Sequence, residues 1–507
     1  MTNVTDIDDP GPQLIDGVEI DANVSYLARN ARHQPDAPAL TVEDTTLTRS
    51  ELEGLANQWA HVLAGHGVVL GDLVTIALGN SVDFLGATIA VWKLGAVPQP
   101  VSHKLPAVER QAIVELADSR VVIGADSVDH PGRTCLPSSF RPAADVPDTG
   151  HPPVLSPVSK APTSGGSTGR PKLILSGTPA VTAPAMLKHL LGMEPDDTQL
   201  VCGPLYHNAP FGQALAGLVL GQHVILQKRF NELEALRAIQ RHRVTWLQVV
   251  PTMMLRMLRV LDEQPAGTFD LSSVREMWHM AAPCPDWLKE RWIELLGDRL
   301  IELYGGTETI ALTRISGQEW LTHRGSVGRP VSGQMRILDE DGSPVPAGTV
   351  GEIYMRPDEG APPTYRYLGA EPKRVGDWES LGDLGWMDDD GYVYISDRRT
   401  DMIVSGGANI YPAEVEAAID AHPAVLSCAV VGVPDEDLGK RVHAVVQTSE
   451  PITVDQLLEH LSALLVRYKI PRTVEFSDVP LRDDAGKVRR SAIGEAVMAR
   501  EAGAQRA

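Results

Sequence analysis

Apolar residues recur at helical spacing in some segments of the chain and form short continuous runs in others. Between residues 24 and 150, helical spacing is found over 50–68 and 81–95, and short apolar runs stand at 73–78, 97–101 and 120–125. Helical and strand patterns that alternate in this way predict parallel sheets with helices packed on their faces. We therefore expect an α/β fold for this part of the chain.

The same alternation returns further along the chain. It predicts strands over 223–227, 245–251 and 300–306 and helices over 231–244 and 287–297. After residue 330 the pattern changes to short segments that predict β-strands. The run "DEDGSPVP" (339–346) has the composition of a hairpin turn. A β-rich part therefore follows the layered part.

A third pattern begins near residue 398. It predicts helices over 412–422 and 453–471, the second ending before proline, and strands over 425–435, 441–447 and 473–480. These segments suffice for a small α+β domain. The charged turn "DRRTD" (397–401) marks the boundary, so we predict domains over 1–397 and 401–507 with a hinge over 398–400.

Composition narrows the functional classes. The 507 residues are 43% hydrophobic and 22% charged, which excludes global disorder, and the net charge of −21 argues against general binding to nucleic acids or anionic membranes. The four cysteines are widely separated, which disfavours a disulfide framework or a zinc site and fits a reducing cytoplasm. The N-terminus, 1–12, is acidic and lacks an apolar run, so no signal peptide is expected. The most apolar stretch, 84–97, is interrupted by Lys93 and is too short to span a bilayer.

The stretch "TSGGSTGRPK" (163–172) is rich in glycine and hydroxyl side chains and ends in a lysine. Backbone N–H groups and hydroxyls in such a loop suit phosphate oxygens, and the lysine adds positive charge. It is not a P-loop, because Pro171 stands before the lysine and no GK[ST] follows the glycines. On composition alone, a flexible surface linker explains the stretch equally well.

Three further blocks change that balance: "LYGGTETI" (303–310), "SLGDLGWMDDDGYVYISDRRTDMIVSGGANIYPAEVE" (380–416) and "LRDDAGKVRR" (481–490). Four such blocks in this order resemble the adenylate-forming superfamily, which includes acyl-CoA synthetases, adenylation domains and luciferases. The resemblance covers residues 25 to 495. It implies a large N-terminal domain of αβα-layered sheets with a distorted β-barrel-like subdomain, and a small mobile α+β C-terminal domain.

The resemblance also implies roles for individual residues. The phosphate loop for ATP would be Ser164, Ser167, Thr168, Gly169 and Lys172, and the adenine would lie beside Ala282, Pro283, Tyr304 and Gly305. Asp383 would bind the ribose hydroxyls with Arg398 nearby, Thr307 would contact the α-phosphate, Glu308 would hold Mg²⁺, and Lys487 would bridge the carboxylate and the α-phosphate. The acyl pocket would comprise His207, Asn208, Ala209 and Gly306, CoA would pass Gly406 and Gly407, and Thr400 would be the hinge.

Four of these residues also have a simpler structural explanation. Tyr304 at a strand end could be a packing residue, Asp383 a turn former, His207 a core histidine and Lys487 a surface lysine. For His207 and Lys487 the functional interpretation depends almost wholly on the resemblance.

The function implied is a carboxylate–CoA ligase that uses ATP, Mg²⁺ and CoA and releases AMP. "TSGGSTGRPK" and "AAPCP" resemble ligases of bile acids and steroids, which predicts a bulky hydrophobic acid. Gly165, Leu173, Met280 and Ala281 depart from the family pattern, so a ligase that only converts a supplied acyl-adenylate stays open. A catalytically silent nucleotide-binding protein is the third hypothesis, and the sequence leaves a homodimer open.

Overall fold

The first part of the chain alternates strands and helices, as its apolar spacing predicts. The computed structural model describes residues 13–15, 18–150, 154–165, 171–398, 401–405, 408–435, 437–483 and 486–504. Its first elements are β1 (Gln13–Ile15), β2 (Val18–Ala22), α1 (Asn23–His33), β3 (Pro38–Val42), β4 (Thr45–Thr48), α2 (Arg49–Gly65), β5 (Leu73–Ile76), α3 (Val82–Lys93), β6 (Val97–Pro100), α4 (Ala107–Ala117), β7 (Val121–Ile123) and β8 (Thr134–Leu136). A parallel sheet of order β6-β5-β7-β8 confirms the predicted arrangement.

The second part supplies the parallel centre of a larger sheet. Its elements are β9 (Thr163–Gly165), β10 (Pro171–Ser176), β11 (Val181–Thr182), α5 (Pro184–Leu191), β12 (Thr198–Val201), α6 (Asn208–Leu220), β13 (His223–Leu226), α7 (Glu232–His242), β14 (Trp246–Val249), α8 (Pro251–Glu263), β15 (Glu276–His279), α9 (Asp286–Leu296) and β16 (Leu300–Tyr304). Strands β3, β13, β12, β14, β15 and β16 are parallel neighbours in that order.

Successive residues of these strands point to opposite faces of the sheet, and each face packs against its own group of helices. Val201 and Val224 pack with α1, α2, α3 and α6, whereas Leu200 and Ile225 pack with α7, α8 and α9. The first group of helices is also covered by β5 and β7, and α4 packs beyond that smaller sheet. The predicted layering of helices and sheets is thus confirmed.

The β-rich part continues the larger sheet with antiparallel strands. Its elements are β17 (Leu312–Ser316), α10 (Gly317–Thr322), β18 (Ser326–Ser332), β19 (Gln334–Leu338), β20 (Gly351–Arg356), β21 (Tyr365–Leu368), β22 (Lys373–Val375), β23 (Trp378–Met387) and β24 (Val393–Arg398). Beyond β16 the order is β17, β18, β24, β23, β20 and β19, an open edge within the described residues. Within the described residues this part is therefore an extension of the sheet that does not close into a barrel. Strand β21 pairs instead with β10.

The C-terminal part has a core of its own. Its elements are β25 (Ile403–Ser405), β26 (Ala408–Ile410), α11 (Pro412–Asp420), β27 (Val425–Asp435), β28 (Gly439–Thr448), α12 (Val454–Leu464), β29 (Thr473–Phe476) and α13 (Arg490–Ala504). Val415, Cys428, Val446 and Leu457 are among the residues of this core. Within the described ranges, the structure has no helix long and apolar enough to cross a membrane. The domain boundary at 397–401 stays a prediction.

One predicted helix is wrong in length. The sequence predicted a single helix over 453–471, but α12 ends at Leu464 and a separate 3₁₀ turn covers Arg467–Lys469. Leu461 is buried, whereas Leu464 and Val466 are each 54% exposed. Apolar residues therefore continue beyond the segment that faces the core, and without core contacts their pattern does not maintain the helix.

Candidate active site

The parallel strands β14, β15 and β16 end at one edge of the large sheet. Val249 pairs with His279, and His279 pairs with Glu302, so the segments that follow β15 and β16 leave the sheet side by side. These segments contain the predicted adenine residues Ala282 and Pro283 and the "GGTE" loop. Crevices at the carboxyl ends of parallel strands are common ligand sites.

Asp383 joins two of the predicted nucleotide residues. The Tyr304 hydroxyl donates to Asp383 Oδ2 at 2.8 Å, and Arg398 Nε donates to Asp383 Oδ1 at 3.1 Å. The second contact follows from the register of β23 and β24, which pairs Asp383 with Arg398. Burial and the Asp383 carboxylate raise the pKa of Tyr304, and Asp383 also raises the pKa of Arg398. Asp383 is thus a fixed, buried acceptor at the end of β16.

A second cluster surrounds Glu308. Lys172 Nζ lies 3.5 Å from Glu308 Oε1, and the Tyr367 hydroxyl donates to the same oxygen at 2.5 Å. The Lys172 ammonium also lies over the Tyr367 ring, 3.9 Å from its centroid. Strand pairing causes this arrangement, because β21 lies beside β10 and places Tyr367 opposite Ile174, close to Lys172. The lysine that ends the glycine-rich stretch therefore reaches the carboxylate of the "GGTE" loop.

The backbone around Glu308 leaves little freedom for that carboxylate. Thr364 Oγ1 donates to the Glu308 carbonyl oxygen at 2.7 Å. A Cβ on Gly306 would lie 2.3 Å from Leu381 Cδ1 and 2.8 Å from Glu308 Oε2, so a larger residue there would displace both side chains. Gly306, predicted for the acyl pocket, thus packs directly under the proposed metal ligand.

Lys487 approaches the same region from the C-terminal part. A tight turn presents it, in which Asp483 N–H donates to the Lys487 carbonyl and Lys487 N–H donates to Asp483 Oδ1, both at 2.9 Å. A Cβ on Gly486 would lie 2.6 Å from Thr252 Oγ1, so this turn contacts the start of α8. Surrounding protein lowers the pKa of Lys487 and the charge of Arg398 lowers it further, while Asp483 and Glu308 raise it. The Lys487 side chain is open to solvent yet lies close to both clusters.

The charged side chains of the two clusters lie close enough to shift one another's pKa values. Burial lowers the pKa of Lys172, with Glu308 opposing it and Arg398 adding to it. Arg398 and Glu308 therefore each act electrostatically on both Lys172 and Lys487. Positive charges concentrated in a cleft bind anions and stabilise negative charge that develops there. A polyphosphate fits this arrangement.

The predicted adenine segment contains one strained residue. Ala281 has φ 73°, in the left-handed region that favours glycine, and Met280 beside it is buried, with Gln213 Nε2 3.8 Å from its Sδ atom. Packing of Met280 against α6 holds the strained backbone in place, and such strain concentrates at functional sites. The sequence had indicated only the extra bulk of Ala281.

Replacing Ala281 with glycine should stabilise the protein by about 1 kcal/mol, because the left-handed conformation costs glycine nothing. The expected increase in Tm is ~2 °C. The matched control is Ala282→Gly, at a position that is not among the residues with positive φ, and it should lower Tm slightly. An equal decrease for both variants would contradict this account of Ala281.

The predicted acyl-pocket residues lie at the start of α6. His207 is its N-cap residue and Asn208 and Ala209 are in its first turn. Ala209 packs against a cluster that includes Trp246, Trp278, Met280 and Leu303. The bond from Gln213 to Met280 connects α6 with the adenine segment.

A cavity of about 360 Å³ opens beside the segment that leads to His207. Its walls include the basic residues His103, Lys104, Lys228 and Arg229 and the aromatic residues Tyr206 and Phe230. Clustered positive charge with aromatic walls suits a phosphorylated ligand with a planar base.

Some predicted site residues cannot be placed. Ser167, Thr168, Gly169, Thr400, Gly406 and Gly407 lie outside the described residues, and of Ser164 only the backbone is described, paired with Lys172 in strands β9 and β10. Thr307 lies in the loop between Tyr304 and Glu308. The roles of all these residues stay predictions.

Sequence reasoning missed Tyr367 and Thr364, which hold Glu308. The run "TYRYLG" (364–369) carries two tyrosines at strand spacing, which would have predicted a strand with both rings on one face. It gave no sign that the partner of this strand would be β10.

Two family models match the chain. The model described as AMP-binding enzyme matches residues 27–362, and the model described as AMP-binding enzyme C-terminal domain matches residues 414–487. The chain belongs to the family of AMP-binding enzymes. The resemblance to the adenylate-forming superfamily is thereby confirmed.

Several relatives of this AMP-binding enzyme are named as CoA ligases or synthases. It is 33% identical to feruloyl-CoA synthase from Amycolatopsis sp over 92% of its own length and 96% of that protein's. It is 30% identical to 2-succinylbenzoate–CoA ligase from Bacillus licheniformis over 92% and 98%. The structure of o-succinylbenzoate CoA synthetase from Bacillus subtilis in complex with its acyl-adenylate intermediate is similar with a TM-score of 0.80 and 27% identity, over 94% of this chain and 98% of that one.

These findings confirm the predicted enzyme class, an AMP-forming acid–thiol ligase. The predicted closeness to ligases of bile acids and steroids receives no support from them and stays a prediction.

Proposed function

We propose that this protein joins an aromatic carboxylic acid to CoA through an acyl-adenylate, with release of pyrophosphate and then AMP. The observation that carries the proposal is the meeting of two charged clusters at the carboxyl end of the large sheet. Lys172 lies beside Glu308, and Arg398 is bonded to Asp383. Lys487 interacts electrostatically with both Glu308 and Arg398. A triphosphate and a carboxylate can meet there only if their negative charges are offset, and these side chains offset them.

In the first step the acid's carboxylate oxygen attacks the α-phosphorus of ATP and pyrophosphate leaves. Lys487 would hold the carboxylate beside the α-phosphate, Thr307 would donate to an α-phosphate oxygen, and Lys172 would contact the leaving phosphates. Tyr304 would stack against adenine, and Asp383 would accept from the ribose hydroxyls, for which its Oδ atoms are already oriented by Tyr304 and Arg398. Catalysis here is positioning and charge stabilisation by groups fixed before the reaction.

Glu308 is a suitable ligand for Mg²⁺. Its carboxylate is buried and held by Tyr367, and the part of the chain that the structure describes contains no group of three or more acidic, histidine or cysteine side chains that could hold a metal ion. Mg²⁺ is commonly bound by one or two carboxylates together with substrate phosphates, so a single glutamate fits. When bound, the ion would neutralise phosphate charge.

The second step transfers the acyl group from AMP to the CoA thiol. We propose that the C-terminal part turns about Thr400, removes Lys487 and brings Gly406 and Gly407 to the path of the CoA arm. The basic cavity with Arg229 at its wall supports the proposal, because it offers the CoA phosphates a site close to the predicted acyl pocket.

The acid class can be narrowed by the relatives and the pocket. Ferulate and 2-succinylbenzoate, named for the relatives, are aromatic acids. Trp246, Trp278 and Met280 are buried beside Ala209, so the backing of the predicted acyl pocket is apolar, which suits a hydrophobic ring. A bulky alicyclic acid of the bile-acid type is the competing class.

A panel of acids tests the proposal. Purified protein is mixed with ATP, Mg²⁺ and CoA and with 2-succinylbenzoate, ferulate, benzoate or cholate, and pyrophosphate release and the mass of the CoA ester are measured. We expect ester from one or more of the aromatic acids and none from cholate. Ester from cholate alone would favour the alicyclic class.

The same assay separates the two other hypotheses. CoA ester from synthetic acyl-adenylates without pyrophosphate release from any acid would favour a ligase restricted to the second step. No ester from either source would favour a silent nucleotide-binding protein. The presence of Lys172, Glu308 and Lys487 in one site favours an intact first step.

A further inference from the structure

Lys160 extends its ammonium group to the first turns of α6. Its carbonyl accepts from Ser176 N–H, and Ala161 N–H donates to the Pro98 carbonyl, both at 3.0 Å, so its backbone is fixed between β10 and β6. A Cβ on Gly212 would lie 3.3 Å from Lys160 Nζ. The absence of a side chain at Gly212 therefore leaves room for this ammonium against the helix.

The environment of Lys160, which is half-buried, differs from that of the buried lysines Lys93 and Lys289. Lys93 and Lys289 each have a carboxylate oxygen at 2.5 Å, on Glu53 and Glu302. For Lys160, burial alone lowers the pKa to about 8, and none of the described residues contributes a charge that offsets this burial. An ammonium that is partly removed from water and has no anionic partner among the described residues is unfavourable, and a bound anion would offset that cost.

The same face of α6 carries a second polar group that lacks a partner. Asn208 stands one turn before Gly212, and its Oδ1 atom is buried and makes no hydrogen bond within the described residues. The Asn208 amide can offer its NH₂ group to an anion by rotation. Ala209 and Ala216, on the adjoining positions, pack against the Trp246 cluster, so this face borders the proposed acyl pocket.

Strand register separates Lys160 from the site of the first reaction step. Lys172 pairs with Ser164, whereas the Lys160 carbonyl bonds to Ser176, four positions further along β10. At ~3.3 Å per residue these positions are about 13 Å apart. This separation of the two backbone positions leads us to expect that Lys160 contacts a different carboxylate from the one that reacts beside Lys172 and Lys487.

We infer that Lys160 binds a second carboxylate of the acid, so that the enzyme prefers aromatic dicarboxylic acids. The inference rests on the proposed function, whose reacting carboxylate occupies the other end of the pocket. The ammonium would provide a charge-assisted hydrogen bond to the distal carboxylate, and the Asn208 amide would donate beside it.

A matched pair of acids tests the inference. 2-Succinylbenzoate is compared with 3-benzoylpropionate, which has the same skeleton without the ring carboxylate. We expect the wild-type kcat/KM to be at least about 10-fold higher for the dicarboxylate. Lys160→Met should lower that value by about 10–100-fold, mainly through KM, and change the value for 3-benzoylpropionate less than about 3-fold.

Two further variants make the result specific. Lys160→Arg keeps the charge and should retain most of the preference. Lys188→Met removes a lysine of α5 that is 65% exposed and paired with Glu194, and it should leave both substrates unchanged. Equal loss for both acids in Lys160→Met, or a wild-type preference for 3-benzoylpropionate, would overturn the inference while leaving the proposed function intact.

If neither acid releases pyrophosphate, the proposed function fails for these acids and binding decides the inference. Calorimetric titration of 2-succinylbenzoate into the full-length protein should then show binding that Lys160→Met loses. Absence of binding to the wild type, or equal binding by both proteins, would count against a carboxylate site at Lys160.

Discussion

Replacing Lys487 with alanine should lower the rate of acyl-adenylate formation by about 10²–10³-fold, the loss expected for one donor that contacts the transition state and is worth ~3–4 kcal/mol. The reason is the position of the ammonium close to Arg398 and Glu308, where negative charge accumulates as the carboxylate attacks. Pyrophosphate release measures this step. The KM for ATP should change little, because the contact matters mainly in the transition state.

The second half of the reaction supplies the internal control. In Lys487→Ala, CoA ester formation from a synthetic acyl-adenylate should remain within about 3-fold of wild type, because Lys487 takes no part in it. Lys440→Ala removes an exposed lysine of β28 in the same C-terminal part and should leave both steps unchanged. Equal loss of both steps in Lys487→Ala would indicate a damaged fold or a different role for this lysine.

The layered fold was predictable because its elements are locally encoded. The helix predicted over 50–68 is α2, which begins after a capping box formed by Thr48 and Glu51. The run 425–435 forms β27 with the predicted bounds. The end of α12 was not predictable, because apolar residues continue past Leu464 and only tertiary packing determines which of them face the core.

Of the candidate site, only the residues that stand in sequence motifs were predictable. Tyr304, Glu308 and Asp383 stand in recognisable blocks, and the structure places each at the same edge of the large sheet. The contacts that hold them come from pairings across long stretches of chain, as between β10 and β21. Lys160 precedes the glycine-rich stretch by only a few residues, yet nothing local distinguishes it from a surface lysine.

Replacing Glu308 with glutamine should lower the rate of acyl-adenylate formation by at least about 100-fold and raise the Mg²⁺ concentration needed for half-maximal rate. The amide is almost the same size and can still accept from the Tyr367 hydroxyl, which now donates at 2.5 Å, so the loop should keep its shape. The substitution removes the negatively charged carboxylate that faces Lys172 and would bind the ion. Pyrophosphate release measured across a Mg²⁺ titration reports both effects.

Tyr367→Phe separates the charge of Glu308 from its support. It removes one hydrogen bond to the carboxylate and leaves the charge in place, so the rate should fall only about 10-fold and the Mg²⁺ requirement should stay near that of wild type. A metal ligand and a loop-positioning residue therefore give different titration curves. If Glu308→Gln kept the wild-type Mg²⁺ dependence while Tyr367→Phe lost more activity, Glu308 would position the loop and would not bind the ion. The grouping of Lys172, Arg398 and Lys487 around this cleft, which carries the proposed function, would then need another explanation.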